Sequence, residues 1–443
     1  MGIPNLRKAA FDVDYAQSGS LYLAHPDSVV EQLNSLYGCE DSLPVKYQEK
    51  VLQSFVNFLV AKAKERGKES FCDEDSNTSK LIKDYTGAFF QRIRRQGPVP
   101  SSFVDLVAFQ TVVSAVYNFA LDKFRKCKAL PDAPLAPLAK WGVDEDCISS
   151  RCVKDMAEPG LKIGAGLIVF PARYRMGGLF AWAVLSHEVG GHSMLDSCPE
   201  VIKEWSLAIQ KQVHLTVDGE SYGPGFLDEK YWSDIDRVEE LAADVLGVLV
   251  SGPAFGIGLI GYLRGSNHGK LNLSASSRIK HPPHVLRAVA VARVIELLNP
   301  QSPYVELITQ EINQDIGDDP SINFSHSRGE TEIPFEFAKK TVESVATVIA
   351  TASLEFFEGK CLMELISWGE EEDLIVLGIQ KSMQKKEETM LPSLHCGGSL
   401  TRYIIPAAIL TAIEDDSDIP TVFEKMKNYL IDAHGRYALK ATP

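Results

Sequence analysis

Residues 187–192 read His-Glu-Val-Gly-Gly-His, inside a stretch, 179–195 (LFAWAVLSHEVGGHSML), that is apolar nearly all round. A helix with no polar face belongs in a core, so these polar groups are predicted to be carried into the interior. Their spacing then limits the helix itself. Two residues five apart lie about 140° round an ideal helix, whereas four apart are separated by only about 40°. His187 and His192 would therefore face different neighbours. A single widened turn of π type absorbs one residue and returns both imidazoles to a common face. Gly190 and Gly191 fall inside that turn, where a residue without Cβ tolerates distortion best. Each glycine otherwise weakens a helix by roughly 1 kcal/mol, so the pair is read as the device that permits the spacing.

About fifty residues on stands Glu239-Glu240-Leu-Ala-Ala-Asp244. Ser233 offers an N-cap, Asp234 and Asp236 suit a first turn, and Gly252-Pro253 marks a stop, which together predict a helix. Glu240 and Asp244 are four apart and share a face. Two imidazoles and one carboxylate form the ligand set of a catalytic zinc that keeps a position open for water. His187, His192 and Glu240 are the expected ligands of one Zn²⁺, and Glu188 the expected base toward that water. Asp244 is expected to orient a ligand imidazole, with Glu239 a weaker candidate for the same work. The same ligands also suit non-haem Fe(II). An oxygenase, a non-peptide hydrolase and a non-catalytic binding protein therefore stand as alternatives to a peptidase.

Other residues near these motifs are read two ways. In His281-Pro282-Pro283-His284-Val-Leu-Arg287, His281 is either a transition-state donor or part of a rigid turn opening a helix over 283–298. Arg287 is either a clamp for a substrate carboxylate or an ion-pair partner. His268 reads as a solvated loop residue. Tyr222 and Tyr231 are placed in core or surface roles, with donation to an oxyanion as the other option.

His187-Glu188-x-x-Gly191-His192 and Glu239-Glu240-x-x-Ala243-Asp244 are similar to the HExxGH and EExxA(E/D) segments of dipeptidyl peptidase III. The segment from His281 to Arg287 instead resembles the HPPxxxR segment of the CAAX prenyl endopeptidase and HtpX group, which also carries an ExxxD helix matched by Glu240 and Asp244. Both groups are zincin-type zinc peptidases, and the likeness covers roughly residues 160–290. It implies a zincin-like core and a glutamate ligand at Glu240. The chain is shorter than the two-lobed dipeptidyl peptidase and lacks the clear membrane helices of the endopeptidases.

The remaining chain sets the surroundings. Residues 161–171 (LKIGAGLIVFP) end in an apolar run that predicts a strand, whose edge would receive an extended peptide substrate. Val51, Leu52, Phe55, Leu59 and Ala63 form a helical stripe closed by Gly67. Leu106, Phe109, Val113, Val116, Ala120 and Phe124 form another, with Gln110, Ser114 and Asn118 opposite. Residues 130–137, rich in proline, read as a stiff linker, and 299–334 as an irregular surface stretch. Helices are expected over 335–357, 402–414 and 420–433. The uncharged run 245–263 is long enough for a bilayer, but Ser251-Gly252-Pro253 divides it into two buried segments.

The expected whole is mainly α (α+β): a zincin-like core with a small sheet over 131–300, flanked by helical regions 1–130 and 301–443. A net charge of −14 over 443 residues argues against nucleic acid and anionic membranes as partners. A peptide or small amide remains as the substrate class. Eight scattered cysteines (Cys39, Cys72, Cys127, Cys147, Cys152, Cys198, Cys361 and Cys396) fit reduced thiols in a cytoplasmic protein. No secretory leader is expected.

Overall fold

Every position of the run Ala165–Pro171 (AGLIVFP) is buried, the pattern of a strand covered on both faces. It is the centre of a three-stranded sheet, β3, with β1 (Leu135–Gly142) parallel on one side and β2 (Ser149–Arg151) antiparallel on the other. Over Leu167–Val169 the strand has neighbours on both sides, so no edge is left there for the peptide expected to pair along it. The computed structural model describes residues 26–40, 42–66, 77–93, 101–127, 134–142, 148–151, 161, 163–216, 229–232, 234–276, 279–317, 320–326, 329–385, 390, 392, 400–414 and 417–438. Gly67, Cys72, Cys147, Cys152, Tyr222, Ser233 and Cys396 lie outside them. The described residues are mainly helical, with two small sheets.

The chain divides into two units, Met1–Val113 with Ala133–Arg175, and Ser114–Asp132 with Met176–Pro443. The first holds the sheet of β1–β3 and the helices Pro26–Asn34, Gln53–Arg66 and Asn77–Phe90. Val51, Leu52, Phe55 and Leu59 lie in its core with Tyr85, Phe89, Leu138 and Leu167, as their periodicity requires. The expected linker 130–137 is corrected at its end, since Leu135–Pro137 open β1. Proline is admitted to a strand at the edge of a sheet, and the register shifts between Leu135 and Leu138. The outer edge of β1 is bonded to side chains. Gln110 donates to Pro137 O (3.0 Å) and accepts from Ala139 N (2.9 Å). Arg92 donates to Ala139 O (2.9 Å), and Gln91 bonds both the N–H and the carbonyl of Trp141 (2.9 and 2.8 Å).

The second unit is mainly helical and holds a second sheet, so the expected single sheet is corrected to two among the described residues. β4 (Ser274–Ser276) runs parallel to β5 (Ser321–His326), which forms a hairpin with β6 (Gly329–Pro334). The stretch 299–334, expected to be irregular, holds that hairpin and the helix Pro303–Ile316. Ser302-Pro303 is a helix start, and Ile308 and Ile312 bury one face. Ile322, Phe324 and Ile333 are the buried positions of the hairpin. Polar residues on the outer faces of both elements concealed these patterns in the sequence.

The run 245–263 divides as expected. The helix Ile235–Ser251 ends at Gly252, with φ +67°, and Pro253–Ser266 begins a new helix. A Cβ at Gly252 would lie 2.3 Å from the Trp368 ring. His284–Leu298, Thr401–Ala412 and Ile419–Ala438 match expected helices. The helix expected over 335–357 stops at Thr351, before a turn with positive φ at Glu358 and Gly359. Among the described residues one helix, Phe103–Arg125, has the length and hydropathy to cross a membrane, and most of it is buried within the protein.

Candidate metal centre

The chain is α-helical over Leu179–Ala183 and widens into a π-helix over Ser186–Ser193. The distortion predicted from the histidine spacing is present. It brings the His187 and His192 rings to 4.7 Å between centroids with planes at 85°. Their Nε2 atoms face each other at 3.1 Å. The reason for the glycines needs correction. A Cβ on Gly191 would lie 2.4 Å from Ala243 Cβ and 2.6 Å from Ala243 Cα. Gly191 is thus required by the close approach of the helix Ile235–Ser251, and no positive φ is involved. Gly190 has more room, with Val116 Cγ1 at 3.3 Å from its would-be Cβ.

That contact presents Glu239, Glu240 and Asp244 to the two histidines. The helix begins at Asp234 without a side-chain cap bond. Glu240 Oε2 lies 3.5 Å from His187 Nε2, and Oε1 lies 3.6 Å from His192 Nε2. His187, His192 and Glu240 could together hold a metal ion, their ligand atoms all lying within 4.8 Å of one another. Ligands bound at about 2.0–2.1 Å to a tetrahedral ion stand about 3.3–3.4 Å apart, close to the separations found here. Buried Oε2 of Glu240 also lacks a well-directed hydrogen-bond donor. Four carboxylates (Glu188, Glu239, Glu240 and Asp244) gather here against one guanidinium, and a divalent cation would offset that excess.

Each imidazole is held from behind. His187 Nδ1 is 2.8 Å from Asp244 Oδ1, and His192 Nδ1 is 2.9 Å from Glu239 Oε1. A carboxylate on Nδ1 fixes the ring so that Nε2 points inward. Asp244 has the place expected of it. Glu239, given the lesser part in the sequence, does for His192 what Asp244 does for His187. Arg287 grips Asp244 through two hydrogen bonds of 2.8 and 2.7 Å. Of its two expected roles the structure displays the ion pair.

His281 is 56% exposed, and its Nδ1 lies 2.9 Å from Glu240 Oε2. Pro283 precedes the helix His284–Leu298 as its N-cap, so His-Pro-Pro opens that helix and also brings His281 to the Glu240 carboxylate. His268 is an exposed turn residue with φ +54°, as expected. Tyr231 is buried, under the Arg237 guanidinium at 4.2 Å and beside Phe324, which is a packing role.

The charge states follow from these contacts. Burial pushes the His187 and His192 imidazoles down. Asp244 and Glu240 for His187, and Glu240 and Glu239 for His192, outweigh it and hold both above the ordinary imidazole range. Burial raises Glu240, but His192, His187 and His281 hold it well below the usual carboxylate range. Asp244 is likewise lowered, burial being outweighed by Arg287 and then His187. His284 is driven to about 4 by burial, with Arg287 and His281 adding to the effect.

No family model, curated protein or solved structure matches the chain. The Gly191–Ala243 contact is not legible in the sequence, whereas Glu239 is a candidate there for the place it takes on His192. The signal for the contact was the small residue, alanine, inside the acidic motif.

Proposed function

We propose that the protein is a zinc-dependent hydrolase of amide bonds, a metallopeptidase with a zincin-type core acting on peptides or small amides. One observation carries this reading: two imidazoles and Glu240 converge on one point, while a further buried carboxylate, Glu188, adjoins the first histidine. Zinc bound there would polarise a carbonyl and acidify a water molecule. Asp244 and Glu239 keep the two imidazoles in the ligating tautomer, and Arg287 keeps Asp244 ionised within the core. Glu188 is 7% exposed, and no ion pair occupies it among the described residues. It takes the proton of the attacking water and returns it to the leaving amine.

An oxygenase with the same ligands has no use for that base, which favours hydrolysis. The test is metal analysis of protein purified without added metal, together with peptide hydrolysis by Glu188→Gln. Zinc near one equivalent is expected in both proteins, with activity lowered about 10²–10⁴-fold in the variant. Iron in place of zinc, or near-full hydrolysis by the variant, would overturn the reading.

A further inference from the structure

The two ligand-bearing helices meet again away from the metal ligands. Ser186 immediately precedes His187, and Ser251 is the last residue of the helix Ile235–Ser251. Their hydroxyl oxygens are 2.6 Å apart, and both residues are buried. Neither hydroxyl has a part in the chemistry proposed above. Burying two hydroxyls where apolar residues would pack costs free energy unless they satisfy one another.

The end of the helix that carries Ser251 is itself fixed. Arg402 donates to the Val250 carbonyl at 3.1 Å. Its guanidinium lies over the rings of Phe119 and Tyr403 at 3.9 and 4.3 Å. Gly252 N donates to Val248 O at 2.7 Å, with Trp368 packed against Gly252. Ser186 is thus bonded to an anchored point, at the residue where the helix widens. A π-turn competes with ordinary α-helical winding. Reversion to that winding would separate His187 from His192 by about 140°.

We infer that the Ser186–Ser251 hydroxyl pair is a positioning device that holds the start of the π-helix in register, so that both imidazoles address one ion. The inference rests on the metal-site reading. It gives the contact four fixed points: Ser186–Ser251, His187–Asp244, Gly191–Ala243 and His192–Glu239.

The test uses the full chain with Ser186→Ala, Ser251→Ala, the double variant and Ser186→Thr. Zinc affinity is measured by competition with a chromophoric chelator, and ligand geometry by the visible spectrum of the cobalt(II)-loaded protein. Each alanine variant is expected to lose zinc affinity on the order of 10-fold, the low end for partners outside the ligand set. The double variant should lose no more than either single one, because one shared bond disappears only once. The cobalt spectrum should shift in all three, and Ser186→Thr, which keeps the hydroxyl, should retain wild-type affinity. Unchanged affinity in the single variants, or losses that add in the double variant, would overturn the positioning role alone. A wild-type protein that takes up neither zinc nor cobalt would overturn the metal site and this inference together.

Discussion

Among the described residues two segments are wound as π-helices, and only one gathers candidate metal ligands. Gln48–Leu52 contains no glycine and sends Val51 and Leu52 into the core of the first unit. Gln48 donates to Leu43 O at 2.7 Å and accepts from Gly38 N at 3.0 Å. Lys50 O accepts from Gly164 N at 3.1 Å, tying the widened turn to the residue that leads into β3. Ser186–Ser193 instead aims two imidazoles at each other. The comparison teaches that a π-turn neither needs glycine nor implies chemistry. Function resides in where the displaced side chains look, and Gly191 answers to the neighbouring helix.

Four substitutions sharpen or break that contrast. The largest effect is expected from Arg287→Ala, which leaves buried Asp244 with the His187 imidazole in place of a full guanidinium partner, at a cost of about 3–5 kcal/mol. Urea unfolding measures it, and a wild-type midpoint would mean that Asp244 does not depend on this partner. Gly191→Ala comes next, because its new Cβ meets Ala243 at 2.4 Å. A loss of about 1–3 kcal/mol should be accompanied by reduced zinc content, and full zinc occupancy would remove the close approach as the reason for the glycine.

Gln48→Ala should cost about 1–2 kcal/mol through hydrogen bonds lost at Leu43 and Gly38, with zinc content untouched. Reduced zinc there would show that the two π-segments are not independent. Gly190→Ala should be the mildest. A gain in helix propensity of up to about 1 kcal/mol works against the 3.3 Å contact with Val116. Metal content should be unchanged, and a drop would return to Gly190 the role that the comparison denies to glycine.

The centre was legible where its logic is local. A five-residue interval between histidines is incompatible with one face of an α-helix, so the widened turn followed from the interval. Glu240 and Asp244 followed from their four-residue spacing, and the break at Gly252-Pro253 from backbone chemistry. Contacts between distant positions were not legible. Gly191 was assigned to local tolerance because Ala243, some fifty residues on, gives no sign of lying against it. Gln110 read as the polar side of an apolar helix, although it bonds Pro137 and Ala139. The helix and hairpin within 299–334 were hidden because each buries only one face, and the Asp, Ser and Asn residues between them dominate the composition.

Those bonds along β1 have a consequence for self-association. An uncovered edge strand offers a ladder of main-chain donors and acceptors that a second chain can extend, a common first step in aggregation. Here Gln91, Arg92 and Gln110 stand in as a strand made of side chains, occupying the outward groups of Pro137, Ala139 and Trp141. An incoming strand would first have to displace a guanidinium and two amides, so this side of the sheet is closed to growth.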